Sequence, residues 1–126
     1  EIPLRLVGSE MCIRDSSKYP NQLFMADTSC FEEGKKALEL GCDLLGTTMC
    51  GYTEYTKGHS LPALDLIERY SKELRARVVA EGGIWVPEQL EAAYKSGAYT
   101  AVVGTAITRP RDITRRFVNA LKTLDE

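Results

Sequence analysis

The feature that most constrains this chain is an alternation of kinds of segment. From residue 22 onward, short apolar runs take turns with longer stretches of helical period. The runs are QLFMAD (22–27), CDLLGTTM (42–49), RVVAEG (77–82) and AYTAVVGTAI (98–107), and each reads as a strand. The stretches CFEEGKKALELG (30–41), ALDLIERYSKEL (63–74), VPEQLEAAYKSG (86–97) and RPRDITRRFVNALKTL (109–124) each read as a helix. Gly41 stops the first of these, and Pro87 and Gly97 bracket the third. In the last, Ile113, Phe117, Val118 and Leu121 form the stripe expected to be buried. GYTEYTKGHSLP (51–62) is rich in Gly, Thr and Ser and reads as a loop.

These connections are too long for hairpins, so the strands must run parallel with crossover helices. The class is α/β. Two architectures fit: a small doubly wound sheet, or half of a (β/α)8 barrel. The strand ends favour the barrel. Each apolar run closes on polar or glycine residues: Asp27 and Thr28, Thr47 and Thr48, Glu81 to Gly83, and Gly104 to Thr108. In a TIM barrel that rim is where the chemistry sits. The reading is therefore a half-barrel of about four βα units, in a chain whose length suits one domain.

Composition then excludes classes of partner. The formal net charge of −2 gives no broad attraction to nucleic acid or acidic membranes. No apolar run approaches the ~20 residues of a membrane helix. Neither partner is expected. Cys12, Cys30, Cys42 and Cys50 form no C-x-x-C pair, and His59 is the one histidine. That supports no Cys/His metal site, and the cysteines read as reduced thiols of a cytoplasmic protein.

The glycines and the acid carry the chemistry. A phosphate held by backbone N–H groups needs close approach of the main chain, which glycine permits. EGGI (81–84) and VGTAI (103–107) supply two such corners after the last two strands, where barrels commonly bind phosphate near a short helix N-terminus. Arg109 of the following segment could add a charged contact. Glu81 sits on the same rim, suited to moving a proton on a sugar phosphate. Asp27 ends its own strand in the same way. Tight turns without a ligand, and carboxylates bound to neighbouring strands, would leave the same spacing, so the residues alone keep both meanings open. Tyr52 and Tyr55 lie in the loop at 51–62, where Tyr52 could cover a substrate while Tyr55 reads as packing.

Three segments together carry a resemblance: MADTSCFEEGKKALELGCDLLGTTMCGYT, VVAEGGIWVPEQLEAAYKSGAYTAVVGTAITRP and DITRRFVNAL. They closely resemble the C-terminal half of N-acetylmannosamine-6-phosphate 2-epimerases, over residues from about Lys18 to Lys122. The resemblance implies a (β/α)8 fold. It implies interconversion of N-acetylmannosamine 6-phosphate and N-acetylglucosamine 6-phosphate in sialic acid breakdown, by removing and returning the proton at C2, with no metal or organic cofactor. It makes Glu81 the catalytic glutamate. Asp27 and Arg109 become substrate-binding residues, and Gly83, Gly104 and Thr105 the phosphate cradle; Thr47, from its place on the rim, and Tyr52, from its place in the loop, are read as substrate-binding beside them. The family's catalytic lysine belongs to the first four βα units, and no lysine here inherits its position. This chain alone is accordingly expected to be inactive.

Residues 6–16, LVGSEMCIRDS, do not share the resemblance and look like translated adaptor sequence. Residues 1–17 are therefore expected to be non-native, and 18–124 to be the half-barrel. The competing readings are another sugar-phosphate isomerase or aldolase of the same barrel class, or a non-catalytic phosphate-binding half-barrel. Half of a closed sheet has open edges, which makes a homo-oligomer possible.

Overall fold

A computed structural model describes residues 18–122. The expectation for residues 1–17 lies outside the described residues. In chain order the elements are β1 (Met25–Asp27), α1 (Phe31–Glu39), β2 (Leu44–Gly46), a 3-10 turn (Glu54–Thr56), α2 (Leu64–Lys72), β3 (Arg77–Glu81), α3 (Pro87–Lys95), β4 (Thr100–Val102), α4 (Thr105–Thr108) and α5 (Pro110–Lys122). The four strands form one sheet in the order β1-β2-β3-β4, and each neighbouring pair is parallel. This sequential parallel order is that of the α/β half-barrel, one of the two architectures that the alternation of segments allows.

Register sorts the side chains onto two faces. Ala26, Leu45 and Val78 are aligned across β1, β2 and β3, and Ala80 is aligned with Ala101 of β4. Leu45, Val78 and Ala80 are buried and belong to the same core as Ala37 of α1, Ile67 and Tyr70 of α2, and Ala93 of α3. Strand residues alternate sides, so Met25, Asp27, Gly46, Val79, Glu81 and Val102 lie on the opposite face. On that face Met25 and Val102 are exposed, while Val79 is buried.

Tyr70 pins α2 to the sheet and to α1. Its hydroxyl donates to the Cys30 carbonyl at 2.6 Å and lies 2.7 Å from Thr28 Oγ1. Burial pushes this phenol well above its ordinary pKa. The ring lies where a Cβ on Gly34 would be, so α1 can approach α2 only with glycine at that position.

Two expectations are corrected. The fourth strand does not run to Ile107. It ends at Val102, and Gly104 begins a helical turn in which Ile107 and Thr108 N–H groups donate to the Gly104 carbonyl at 3.0 and 3.1 Å. A local turn closed by its own hydrogen bonds displaces the strand ladder, which had no further partner there. The closing helix forms, but its stripe is not buried. Phe117, Val118 and Leu121 are exposed, because no described element packs over them.

Candidate functional site

The site lies at the C-terminal ends of β2, β3 and β4. A cleft of about 350 Å³ is lined by Thr48, Tyr52, Leu61, Glu81 to Trp85, Val102 and Gly104 to Ala106. The rim read from the sequence is thus one continuous surface for Glu81, Gly83, Gly104, Thr105 and Tyr52.

Glu81 is held by its backbone and by its carboxylate. Regular β2–β3 pairing reaches Gly46 and Val79, and Thr47 then continues it with its side chain. The Thr47 hydroxyl donates to the Glu81 carbonyl at 2.9 Å and accepts from the Glu81 N–H at 3.0 Å. Thr47 is 1% exposed and absent from the cleft wall, so its place is beneath Glu81 rather than beside a ligand. Its neighbour Thr48 faces the cleft. The Thr48 hydroxyl lies 3.1 Å from Glu81 Oε2 and 2.9 Å from Asp27 Oδ1. Asp27 itself does not line the cleft and reaches it only through Thr48.

The two glycine corners differ. Gly82 and Gly83 have φ of 100° and 73°, in the region that favours glycine. A Cβ on Gly83 would run into Leu61, including its backbone carbonyl carbon at 3.0 Å. The close approach at this corner is therefore already made by the loop between β2 and α2. At Gly104 a Cβ would meet nothing within 4 Å. Gly104 is followed by the first turn of α4, whose opening N–H groups have no partner one turn earlier in the helix.

The β2–α2 loop carries Leu61 and Tyr52 to the cleft and is tied down at its middle. Tyr55 donates to Glu33 Oε1, and the Ser29 hydroxyl and N–H donate to Glu33 Oε2, each at 2.7 Å. Burial pushes the Glu33 carboxyl up, but the hydrogen bonds from Tyr55, from Ser29 and from the Ser29 and Cys30 backbone outweigh it. The net pKa lies below the ordinary value. Tyr55 is exposed, and its hydroxyl ties the loop to Glu33 and Ser29 rather than packing into a core. His59 bonds Asp65 at 3.2 Å, away from the cleft.

Arg109 is not brought to the cleft wall. Its side chain is largely exposed at the end of α4 and lies 3.9 Å from Asp112. Trp85 lines the cleft beside the start of α3, with the Arg116 guanidinium 5.3 Å from its ring centre. Sequence reasoning named Thr48 as part of the rim but not as a site residue. Thr48 lies in the turn beyond the end of β2 at Gly46, so strand alternation gave no signal for it. Among the described residues no three His, Cys, Asp or Glu side chains gather in a way that would hold a metal ion. No helix among them is long and apolar enough to cross a membrane.

Residues 5–123 match the sequence profile of the NanE family, described as "Putative N-acetylmannosamine-6-phosphate epimerase". The chain belongs to the NanE epimerase family. A Caldanaerobacter subterraneus relative is 49% identical over 120 residues, 95% of this chain and 51% of that protein. A Staphylococcus saprophyticus relative is 45% identical over 114 residues, 89% of this chain and 51% of that protein. Both are named "Putative N-acetylmannosamine-6-phosphate 2-epimerase". The solved structure of the N-acetylmannosamine-6-phosphate 2-epimerase from Clostridium perfringens superimposes with a TM-score of 0.77 at 44% identity, over 84% of this chain and 46% of that one. The chain spans about half the length of the NanE relatives it matches.

Proposed function

We propose that this chain forms the C-terminal half of the active site of an epimerase that interconverts N-acetylmannosamine 6-phosphate and N-acetylglucosamine 6-phosphate. The observation that carries the reading is the shared cleft: Glu81 lines the same wall as both glycine corners. In the open-chain sugar, C2 lies beside the C1 carbonyl, which makes its hydrogen removable as a proton. Glu81 serves as one of the two groups that remove and return it, and inversion follows when the proton leaves from one face and returns to the other. The backbone at Gly104 and Thr105 receives the phosphate, with Gly83 completing the opposite side. Tyr52 covers the bound sugar. Arg109 and Asp27 act from the periphery, Asp27 by way of Thr48.

A second proton-transfer group is needed for inversion, and no lysine lines the cleft among the described residues. The chain alone is therefore proposed to bind the phosphate but not to turn over the sugar. Two measurements test this. In amide NMR spectra, N-acetylmannosamine 6-phosphate is expected to shift the Gly104 and Thr105 signals, and unmoved signals would remove the phosphate assignment. Conversion is expected when the chain is co-folded with the half of the Clostridium perfringens relative that it does not match. Unchanged conversion with Glu81→Gln would remove the catalytic assignment.

A further inference from the structure

Thr47 uses every hydrogen-bonding group it has, and its hydroxyl stands where β2 has ceased to be a strand. Its N–H donates to the Val79 carbonyl at 3.2 Å and closes the regular pairing of β2 with β3. Had β2 run on beside β3, the next two bonds would join the Glu81 N–H to the Thr47 carbonyl and the Met49 N–H to the Glu81 carbonyl. Both β2 groups are engaged elsewhere instead. The Thr47 carbonyl accepts from the Cys50 N–H at 3.1 Å, and the Met49 N–H donates to the Thr28 carbonyl at 3.2 Å.

The turn that leaves β2 would thus strip the Glu81 backbone of both its partners on that side. The Thr47 hydroxyl replaces them. It accepts from the Glu81 N–H at 3.0 Å and donates to the Glu81 carbonyl at 2.9 Å. A hydroxyl gives one hydrogen and receives at its lone pairs, so one side-chain oxygen stands in for a missing carbonyl and a missing N–H together. Valine has the same shape and neither capacity. Thr47 is buried, which makes this contact part of the interior. On its other side Glu81 is paired with Val102 of β4. The acid is therefore held by both neighbouring strands, while the chain after Thr47 turns away to put Thr48 and Tyr52 on the cleft wall.

We propose that Thr47 is the positioning residue for Glu81: its hydroxyl takes over the two backbone bonds that β2 gives up when it turns aside to open the cleft. Its meaning for catalysis rests on the role proposed above for Glu81. A group that transfers a proton acts only within a narrow range of distance and direction, and the direction of the Glu81 side chain is set by the backbone that carries it.

The first measurement uses the chain itself and needs no turnover. Exchange of the Glu81 amide hydrogen with deuterated water is followed by NMR. The amide is expected to be protected in the parent chain and in Thr47→Ser, and to exchange at least about tenfold faster in Thr47→Val. The Glu81 carboxyl carbon signal should move with it, while the Gly104 and Thr105 signals stay. The second measurement uses the co-folded enzyme. Thr47→Val is expected to lower kcat by about 10- to 100-fold with KM unchanged, and Thr47→Ser to restore most of it. An unprotected Glu81 amide in the parent chain overturns the proposal even if the valine variant fails to fold. So does a folded valine variant with unchanged kcat, or one that loses phosphate-induced shifts at Gly104 along with kcat. Failure of the proposed function reads differently: conversion indifferent to Glu81→Gln removes the catalytic role of the acid, while a Glu81 amide protected only when residue 47 carries a hydroxyl still shows how that acid is held.

Discussion

The corner after β3 and the corner after β4 look alike as sequence, each a strand that ends in glycine, yet they are built differently. The β3 corner is held at three points. Thr47 grips the backbone of Glu81, Thr48 meets its carboxylate, and Leu61 fills the space above Gly83. The β4 corner is open. A Cβ at Gly104 would meet nothing within 4 Å, and Ile107 beyond it is exposed. The difference teaches that a glycine beside a cleft has two distinct uses. At Gly83 it admits a neighbouring segment of the same chain. At Gly104 it leaves room that a ligand can take. Proton transfer needs a carboxylate held to a narrow geometry, and the closed corner supplies that. Anion binding needs accessible N–H groups, and the open corner supplies those.

The sharpest way to break this contrast is at the acid. Glu81→Gln in the co-folded enzyme keeps the shape of the side chain and is expected to lower kcat by about 10² to 10⁴. The phosphate-induced amide shifts at Gly104 should survive. If binding and conversion fell together, the two corners would not be separable.

Next is the closed glycine. Gly83→Ala places a side chain at positive φ and against the Leu61 backbone, and a loss of about 3 kcal/mol in urea unfolding of the chain is expected. A neutral result would mean that the loop does not rest on this corner.

Gly104→Ala should do the reverse. Stability is expected to change by about 0.5 kcal/mol or less, as at an uncrowded surface position. Affinity for N-acetylmannosamine 6-phosphate, followed by the same amide signals, is expected to weaken. Destabilisation as large as at Gly83 would erase the distinction drawn between them.

The smallest expected effect concerns the loop that closes the β3 corner. The folded Glu33 carboxyl has a pKa below its unfolded value, so its bonds to Ser29 and Tyr55 stabilise the fold above the unfolded pKa. That contribution is lost as pH falls through the folded one. Tyr55→Phe should flatten this part of the stability-against-pH curve on the acid side. Leu61 and Tyr52 signals should respond, while Gly104 signals stay unchanged.

Much of this was legible in the residues. The order of strands and helices follows from apolar period and from glycine and proline punctuation. Glu81, Gly83, Gly104 and Thr105 were named from their places at strand ends and Tyr52 from its loop, and the fold gathers all five on one cleft. Other features were not legible. Thr47 and Thr48 are adjacent and chemically alike, and only the turn that follows β2 sends one under Glu81 and the other into the cleft. The stripe of α5 was read correctly as apolar, but whether it is covered depends on what packs there.

The sequence by itself determined the order of strands and helices and the glycine corners and acid that close β3 and β4, because those are set by local period and by the torsional freedom of single residues. Only the tertiary structure decided that Thr48 meets Asp27 and Glu81, which are 21 and 33 residues away along the chain, and that Leu61 closes over Gly83. Those meetings are set by parallel register and by the course of a long loop. Register is fixed by the pairing of whole strands, so no short stretch of residues encodes it.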